Sequence, residues 1–252
     1  MIDKSNGGKI KLLNENEICK KLLQVCENDV ERDYVFDHRF RFSFIFSKML
    51  PKVKPRMRID NAGISIFDPL VKEILEGLSA SYFNLISDSN FINRLHSTNY
   101  AYLYTQILDF CSQNLKSKNK QFFYMIIFYE TIEHLLTPDE LIMKNISRIM
   151  NSQGMLFGSV PNDMSIGRRK DMILRKKNVN WPKKDIVNGV FGGYGHIREY
   201  AIYEIGNLIS NEFRDIKIYD YSSYGNSLRN FTNSLLSSFR STVFFVSKRA
   251  TN

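Results

Sequence analysis

Cysteine, tryptophan and histidine are scarce in this chain: three, one and four in 252 residues. Cys19, Cys26 and Cys111 make neither a zinc-ligand spacing nor a disulfide framework. Cys19 and Cys26 are seven apart, which puts them on one helical face. So few thiols point to a reducing cytoplasm. Long apolar runs are missing too. The longest, Phe122 to Tyr129, is far too short to span a bilayer. Met1 to Lys11 is polar and lacks the apolar core of a secretory signal. These absences exclude a disulfide-stapled module, a zinc ribbon and a membrane span, and leave a cytoplasmic protein with no membrane partner. Nothing in the sequence speaks to the oligomeric state.

What is present is an ordinary globular composition, 43% hydrophobic and 24% charged, at a length that suits one α/β domain over 1–252. The net charge of +9 is unevenly spread. From Arg168 to Lys184 there are eight basic residues and one acid, Asp171. Such a concentration suggests an anionic partner: a phosphorylated small molecule, a nucleotide or nucleic acid. A solvated insertion would read the same way. Trp181 lies inside this stretch, either to stack on a ring or to anchor a lid.

Asn14 to Cys26 reads as an amphipathic helix, with Ile18, Leu22, Leu23 and Cys26 on one face. Phe42 to Leu50 is a second apolar segment that ends before Pro51. Together, 1–50 reads as a helical cap. Beyond Arg56 short apolar runs alternate with helical stretches. Strands are predicted at Arg56–Asp60, Tyr82–Ser87, Phe122–Tyr129, Met155–Val160, Ile216–Tyr221 and Thr242–Ser247. Helices are predicted at Pro69–Leu78, from Thr137 to about Met150, and at Tyr200–Ser210. Thr137 is expected as the N-cap, Pro138 as the first helical residue and Glu140 as the capping-box acid, with Asn151–Gly154 a turn. The alternation implies a Rossmann-like, doubly wound sheet of seven strands, mostly parallel with an antiparallel edge strand. A lid insertion is expected over 163–195. Ligands of such sheets sit at the carboxyl ends of the strands, so the residues just after each strand matter most.

Asp60, Ala62 and Gly63 follow the first strand, where a nucleotide-binding turn needs small side chains. Asp88 follows the second; it suits either two ribose hydroxyls or a helix N-cap. Asp109-Phe110 is an acid–aromatic pair able to hold an adenine, or an ordinary loop position. Glu130, Glu133 and His134 have i, i+3, i+4 spacing and would project from one face of a helical turn. Two carboxylates and an imidazole can bind a divalent cation or supply a general base. Acids at a helix start favoured by the dipole are the plainer reading. His196 lies in Gly195-His196-Ile197-Arg198-Glu199-Tyr200, just before a helix.

In this order the pieces resemble the class I S-adenosylmethionine-dependent methyltransferases, especially the ubiquinone-biosynthesis O-methyltransferase-like subgroup. The segment Glu130-Thr131-Ile132-Glu133-His134-Leu135 is similar to that subgroup's strand-four motif. Pro138, Gly154 and Ser159-Val160-Pro161-Asn162 resemble its next helix and strand, and Gly195–Tyr200 its late histidine segment. The likeness runs over roughly 50 to 215. The family's first loop reads Asp-x-Gly-x-Gly-x-Gly after a hydrophobic residue. Here Asp60 is kept, but Ser65 stands where a glycine is usual. The resemblance implies S-adenosylmethionine as cofactor, held by Asp60, Ala62, Gly63, Asp88, Asp109 and Phe110. It also implies a Mg²⁺ or Mn²⁺ ion on Glu130, Glu133, His134 and His196, as in some relatives.

The activity so implied is methyl transfer to a hydroxyl of an anionic, phosphorylated, sugar- or nucleotide-linked small molecule. A precursor of a bacterial polysaccharide is the acceptor suggested by charge and composition. Glu130, His134 and His196 are the candidate catalytic groups. Arg168, Arg169, Lys170, Arg175, Tyr194 and Arg198 are the candidate substrate contacts. The rival readings are a degenerate domain that binds a nucleotide or partner without catalysis, and an RNA methyltransferase.

Overall fold

The computed structural model describes residues 15–24, 26, 28–62, 68–86, 106–107, 123–135, 137–165, 169–170, 173–174, 198–221 and 242–250. The elements are helix α1 (Glu15–Leu23), α2 (Asp29–Met49), strand β1 (Arg58–Asn61), α3 (Asp68–Gly77), β2 (Ser81–Ile86), β3 (Gln106–Ile107), β4 (Phe123–Tyr129), α4 (Asp139–Ile149), β5 (Met150–Pro161), α5 (Ile202–Ser210), β6 (Phe213–Tyr221) and β7 (Thr242–Arg249). The sheet is mixed, in the order β3-β2-β1-β4-β5-β7-β6. Five of these strands, β1 and β4 to β7, carry most of the described side chains. β2 and β3 extend the parallel part beyond β1, β3 by only two residues.

Alternate residues of each strand leave the sheet on opposite sides, and two separate cores result. Ile59, Met125, Ile127, Phe157 and Phe244 pack with α1, α2 and α3. Ile126, Phe128, Leu156, Val160, Val243 and Phe245 pack with α4 and α5. Helices therefore cover both faces, as a run of buried strands requires.

The sheet and helices depart from the sequence expectations in several places. The antiparallel strand is β7, and it is not the edge. It lies between β5 and β6, pairing antiparallel to both, so β6 forms the edge and runs parallel to the rest. Helix α2 begins at Asp29 rather than near Phe42. Asn28 caps it by accepting the Glu31 N–H at 2.9 Å. Its first turns were hard to see because its buried positions include Glu31 and Arg41, which break the apolar pattern. Helix α4 starts at Asp139: Pro138 stays extended and its carbonyl accepts from Leu141 and Ile142, so Thr137 is not the cap. Finally, Asn151–Gly154 lies inside β5. Phe123 pairs with Met150 and Met125 with Met155, so the extra residues of β5 form an irregularity, with the Gln153 N–H on the Asn151 side chain at 3.0 Å.

Candidate functional site

The order β3-β2-β1 on one side of the β1–β4 pair and β4-β5 on the other makes that pair the topological switch point. Connections leave in opposite directions there, and in open sheets of this kind ligands bind outside the carboxyl ends of the two strands. The residues at those two ends form the candidate site.

At the end of β1, Asp60 is fully buried. The Asn61 amide donates to the Asp68 carboxylate at 2.6 Å, closing the β1–α3 connection. The Ala62 N–H continues the sheet onto the Ile127 carbonyl at 2.8 Å, and its methyl lies in the α4–α5 core. Any contact from Ala62 to a nucleotide must therefore come from its carbonyl.

At the end of β4 the chain does not enter an α-helical turn. The Glu130 N–H donates to the Ser159 carbonyl of β5 at 2.9 Å, and Glu130 takes a left-handed backbone with φ of 47°. A short 3-10 turn, Ile132–His134, follows. Too few residues separate this turn from Pro138 for an α-helix. A non-glycine residue with positive φ is held there by its surroundings, and such strain gathers at functional sites.

The two acids still come together. Glu130 accepts from the Ser159 hydroxyl at 2.9 Å through Oε1 and pairs with Arg41 at 3.1 Å through Oε2. Glu133 is fully buried. Burial pushes its carboxyl well above the usual range, and the charge of Glu130 adds to this, against a backbone hydrogen bond and the nearby Arg41. Arg41 itself is 5% exposed. Burial works against its charge, but Tyr34, Glu130 and Glu133 outweigh it and raise its pKa above the ordinary value. Arg41 also donates to the Tyr34 hydroxyl at 2.7 Å. Tyr34, His38 and Phe42 surround it on α2, with Tyr34 and His38 ring centroids 4.4 Å apart.

The late segment reaches the same edge. Asn162, just past β5, bridges Tyr200 in parallel, and the Asp163 N–H donates to the Tyr200 carbonyl at 3.2 Å. The Arg198 N–H donates to the Glu133 carbonyl at 3.4 Å. The Arg198 side chain turns elsewhere, to Asp139 at 2.9 Å and Glu204 at 3.8 Å, with the Tyr200 ring 4.9 Å below it. It thus clamps the segment to α4 and α5. Arg169 donates through Nε to the Met164 carbonyl at 2.8 Å, and Lys170 is exposed. Gly63, Asp88, Asp109, Phe110, Arg168, Arg175, Tyr194 and His196 lie outside the described residues, as does the side chain of His134.

Sequence reasoning missed Arg41, Tyr34, His38, Ser159 and the Asn61–Asp68 pair. A signal existed for Arg41: it sits among Phe42, Ile45, Phe46 and Met49, and a lone guanidinium in a core-facing row needs a buried partner. Ser159 entered only through the likeness of Ser159–Asn162 to a family strand, and nothing local pointed to its bond with Glu130.

The cofactor and the metal fit unequally. The switch point, with the buried Asp60 at the end of β1 and the Asn61–Asp68 hydrogen bond beside it, is where sheets of this kind seat a nucleoside. A divalent ion does not fit the described side chains. Both oxygens of Glu130 already face a donor, one of them a permanently charged guanidinium. Among the described residues no three His, Cys, Asp or Glu side chains are grouped to hold a metal, and no helix is long and apolar enough to cross a membrane.

No family model and no curated protein matches the sequence. The fold has many solved counterparts, S-adenosylmethionine-dependent methyltransferases among them. One from Archaeoglobus fulgidus is 12% identical with a TM-score of 0.54, over 85% of this chain and 98% of that one. A possible histamine N-methyltransferase from Thermotoga maritima is 14% identical with a TM-score of 0.53, over 91% and 99%. One from Methanosarcina mazei is 13% identical with a TM-score of 0.51, over 81% and 98%. At such identities the likeness is one of fold.

Proposed function

We propose that this chain transfers the methyl group of S-adenosylmethionine to a hydroxyl of an anionic small molecule. The observation that carries the proposal is the polar cluster of Arg41, Glu130 and Glu133 at the carboxyl end of β4, next to the switch point of a fold shared with such enzymes. Bound S-adenosylmethionine would supply an electrophilic methyl. The chain must then hold the acceptor oxygen in line with it and take away the acceptor proton. Asp60, Gly63 and Asp88, with Asp109 and Phe110, are assigned to the cofactor. Glu130, with His134 and His196, is assigned to the acceptor hydroxyl and its proton. Arg168, Arg169, Lys170, Arg175 and Tyr194 are assigned to the acceptor's phosphate. The products are the methyl ether, S-adenosylhomocysteine and a proton.

Calorimetric titration with S-adenosylmethionine and S-adenosylhomocysteine tests the reading. One site is expected for each, weakened roughly tenfold or more by Asp88→Ala, which removes a charge-assisted hydrogen bond. Absence of binding to either sinks it. A second reading, a nucleotide- or partner-binding domain without methyl transfer, is favoured by one observation: the Ala62 amide is engaged in the sheet, in a loop already short of glycine. Binding of S-adenosylhomocysteine with no turnover of any phosphorylated hydroxyl compound would select it.

A further inference from the structure

The row Tyr34, His38, Arg41 and Phe42 comes from one face of α2, spaced i, i+4, i+7, i+8, and it brings a positive charge to the acid turn after β4. We propose that Arg41 is the resident cation of this site. It balances the charge of Glu130, with Glu133 buried close by, so the acid turn works without a divalent ion and α2 supplies the cation from outside the turn. The proposal deepens the reading above, on which only its meaning for catalysis rests.

The geometry argues for a built position. The guanidinium spends one nitrogen on Glu130 at 3.1 Å and another on the Tyr34 hydroxyl at 2.7 Å. Its carbon lies 5.0 Å from the centre of the Phe42 ring and 5.8 Å from that of Tyr34. A planar, weakly hydrated cation suits such a buried, aromatic seat better than an ammonium or a metal ion. The Ser159 hydroxyl fixes the other carboxylate oxygen, so Glu130 is held from two elements at once. A metal ion ligated by Glu130 would sit within a few ångströms of the buried guanidinium, and the two positive charges would repel. Arg41 is therefore a positioning residue. It holds Glu130 at the end of β4 and supplies fixed positive potential beside any acceptor oxygen that loses its proton.

The test is a titration of the full chain with Mn²⁺ alone, counting free ion by electron paramagnetic resonance. Wild type and Arg41→Lys, which keep the charge, are expected to leave Mn²⁺ free throughout the micromolar range. Arg41→Met keeps the stem against Phe42 but removes the charge. It is expected to gain one site, at least about tenfold tighter than anything in wild type, and to lose it again with Glu130→Gln. Circular dichroism checks the fold, and Arg41→Gln replaces the Met variant if that one does not fold. A Mn²⁺ site in wild type that Glu130→Gln abolishes overturns the proposal. So does a folded Arg41→Met as silent as wild type. No cofactor enters this measurement, so a chain that ignores S-adenosylmethionine but shows this pattern loses the enzymatic reading and keeps the resident cation.

Discussion

The two faces of the sheet are built from the same strands but from different kinds of helix. On one face α4 and α5 bring Ile142, Met143, Ile146, Ile205, Leu208 and Ile209 against Ile126, Phe128 and Phe245, while the buried Asp139, Asn145 and Ser147 of α4 add polar groups. On the other, α2 mixes Val35, Phe42, Phe46 and Met49 with buried Glu31 and Arg41, and α3 brings buried Asp68 to Asn61. The first face packs the sheet chiefly by apolar burial, with the Arg198–Asp139 pair at its rim. The second gives up part of that burial to place charge where β1 and β4 end.

If this division is real, substitutions on the two faces should differ in kind. The largest loss of stability belongs to the apolar face. Ile146→Ala should lower the unfolding free energy by about 3 kcal/mol in urea, with cofactor affinity in the surviving folded protein unchanged. A loss under about 1 kcal/mol would mean that this layer is not the well-packed one. Ser159→Ala should cost roughly 1 kcal/mol, yet it should lower methyl-transfer turnover far more, because Glu130 loses one of its two anchors. Equal losses of turnover in Ser159→Ala and Ile146→Ala would erase the contrast.

A subtler difference concerns pH. Burial, with Arg41 close by, holds the His38 imidazole down at about 3. The unfolded chain takes up a proton near the ordinary value of 6.5 while the native one does not. The unfolded state thus binds more protons between these values, and stability falls as pH drops from 6.5 towards 3. Glu133 has the opposite sign. Burial raises its pKa in the native state, so the stability it contributes is lost as pH rises above 4.5. His38→Leu should flatten the acid limb of a stability profile and Glu133→Gln the rise side. Parallel profiles for His38→Leu and wild type would remove α2's polar row from the account. The smallest effect is expected at the surface. Lys21→Ala breaks the exposed 3.2 Å pair between Lys21 and Glu73 and should change stability by no more than about 0.5 kcal/mol.

The same division decided what could be read from the sequence. Strands β4 and β7 and helices α4 and α5 were legible to within a few residues, because apolar residues recur at the period of each element. The start of α2 was not, since Glu31 and Arg41 occupy core-facing positions. The acid turn was legible as residues but not as geometry. Its spacing suggested three side chains on one helical face, whereas a hydrogen bond to Ser159, twenty-nine positions away, sets the left-handed turn at Glu130. Arg41 lies still further off in sequence, so no local pattern could pair it with Glu130.

The placement of β7 bears on how the chain reaches this state. β5 runs beside β4 early in the sequence, but its other neighbour is β7, with Met155 opposite Lys248 and Pro161 opposite Thr242. β6, synthesised between them, pairs with β7 and not with β5. Until β7 is in place, β5 and β6 each present an open edge, and only a strand inserted between them satisfies both. Pairings so distant along the chain close slowly. Productive folding therefore competes with edge-to-edge association of incomplete chains, and the last strand acts as a kinetic checkpoint on the whole sheet.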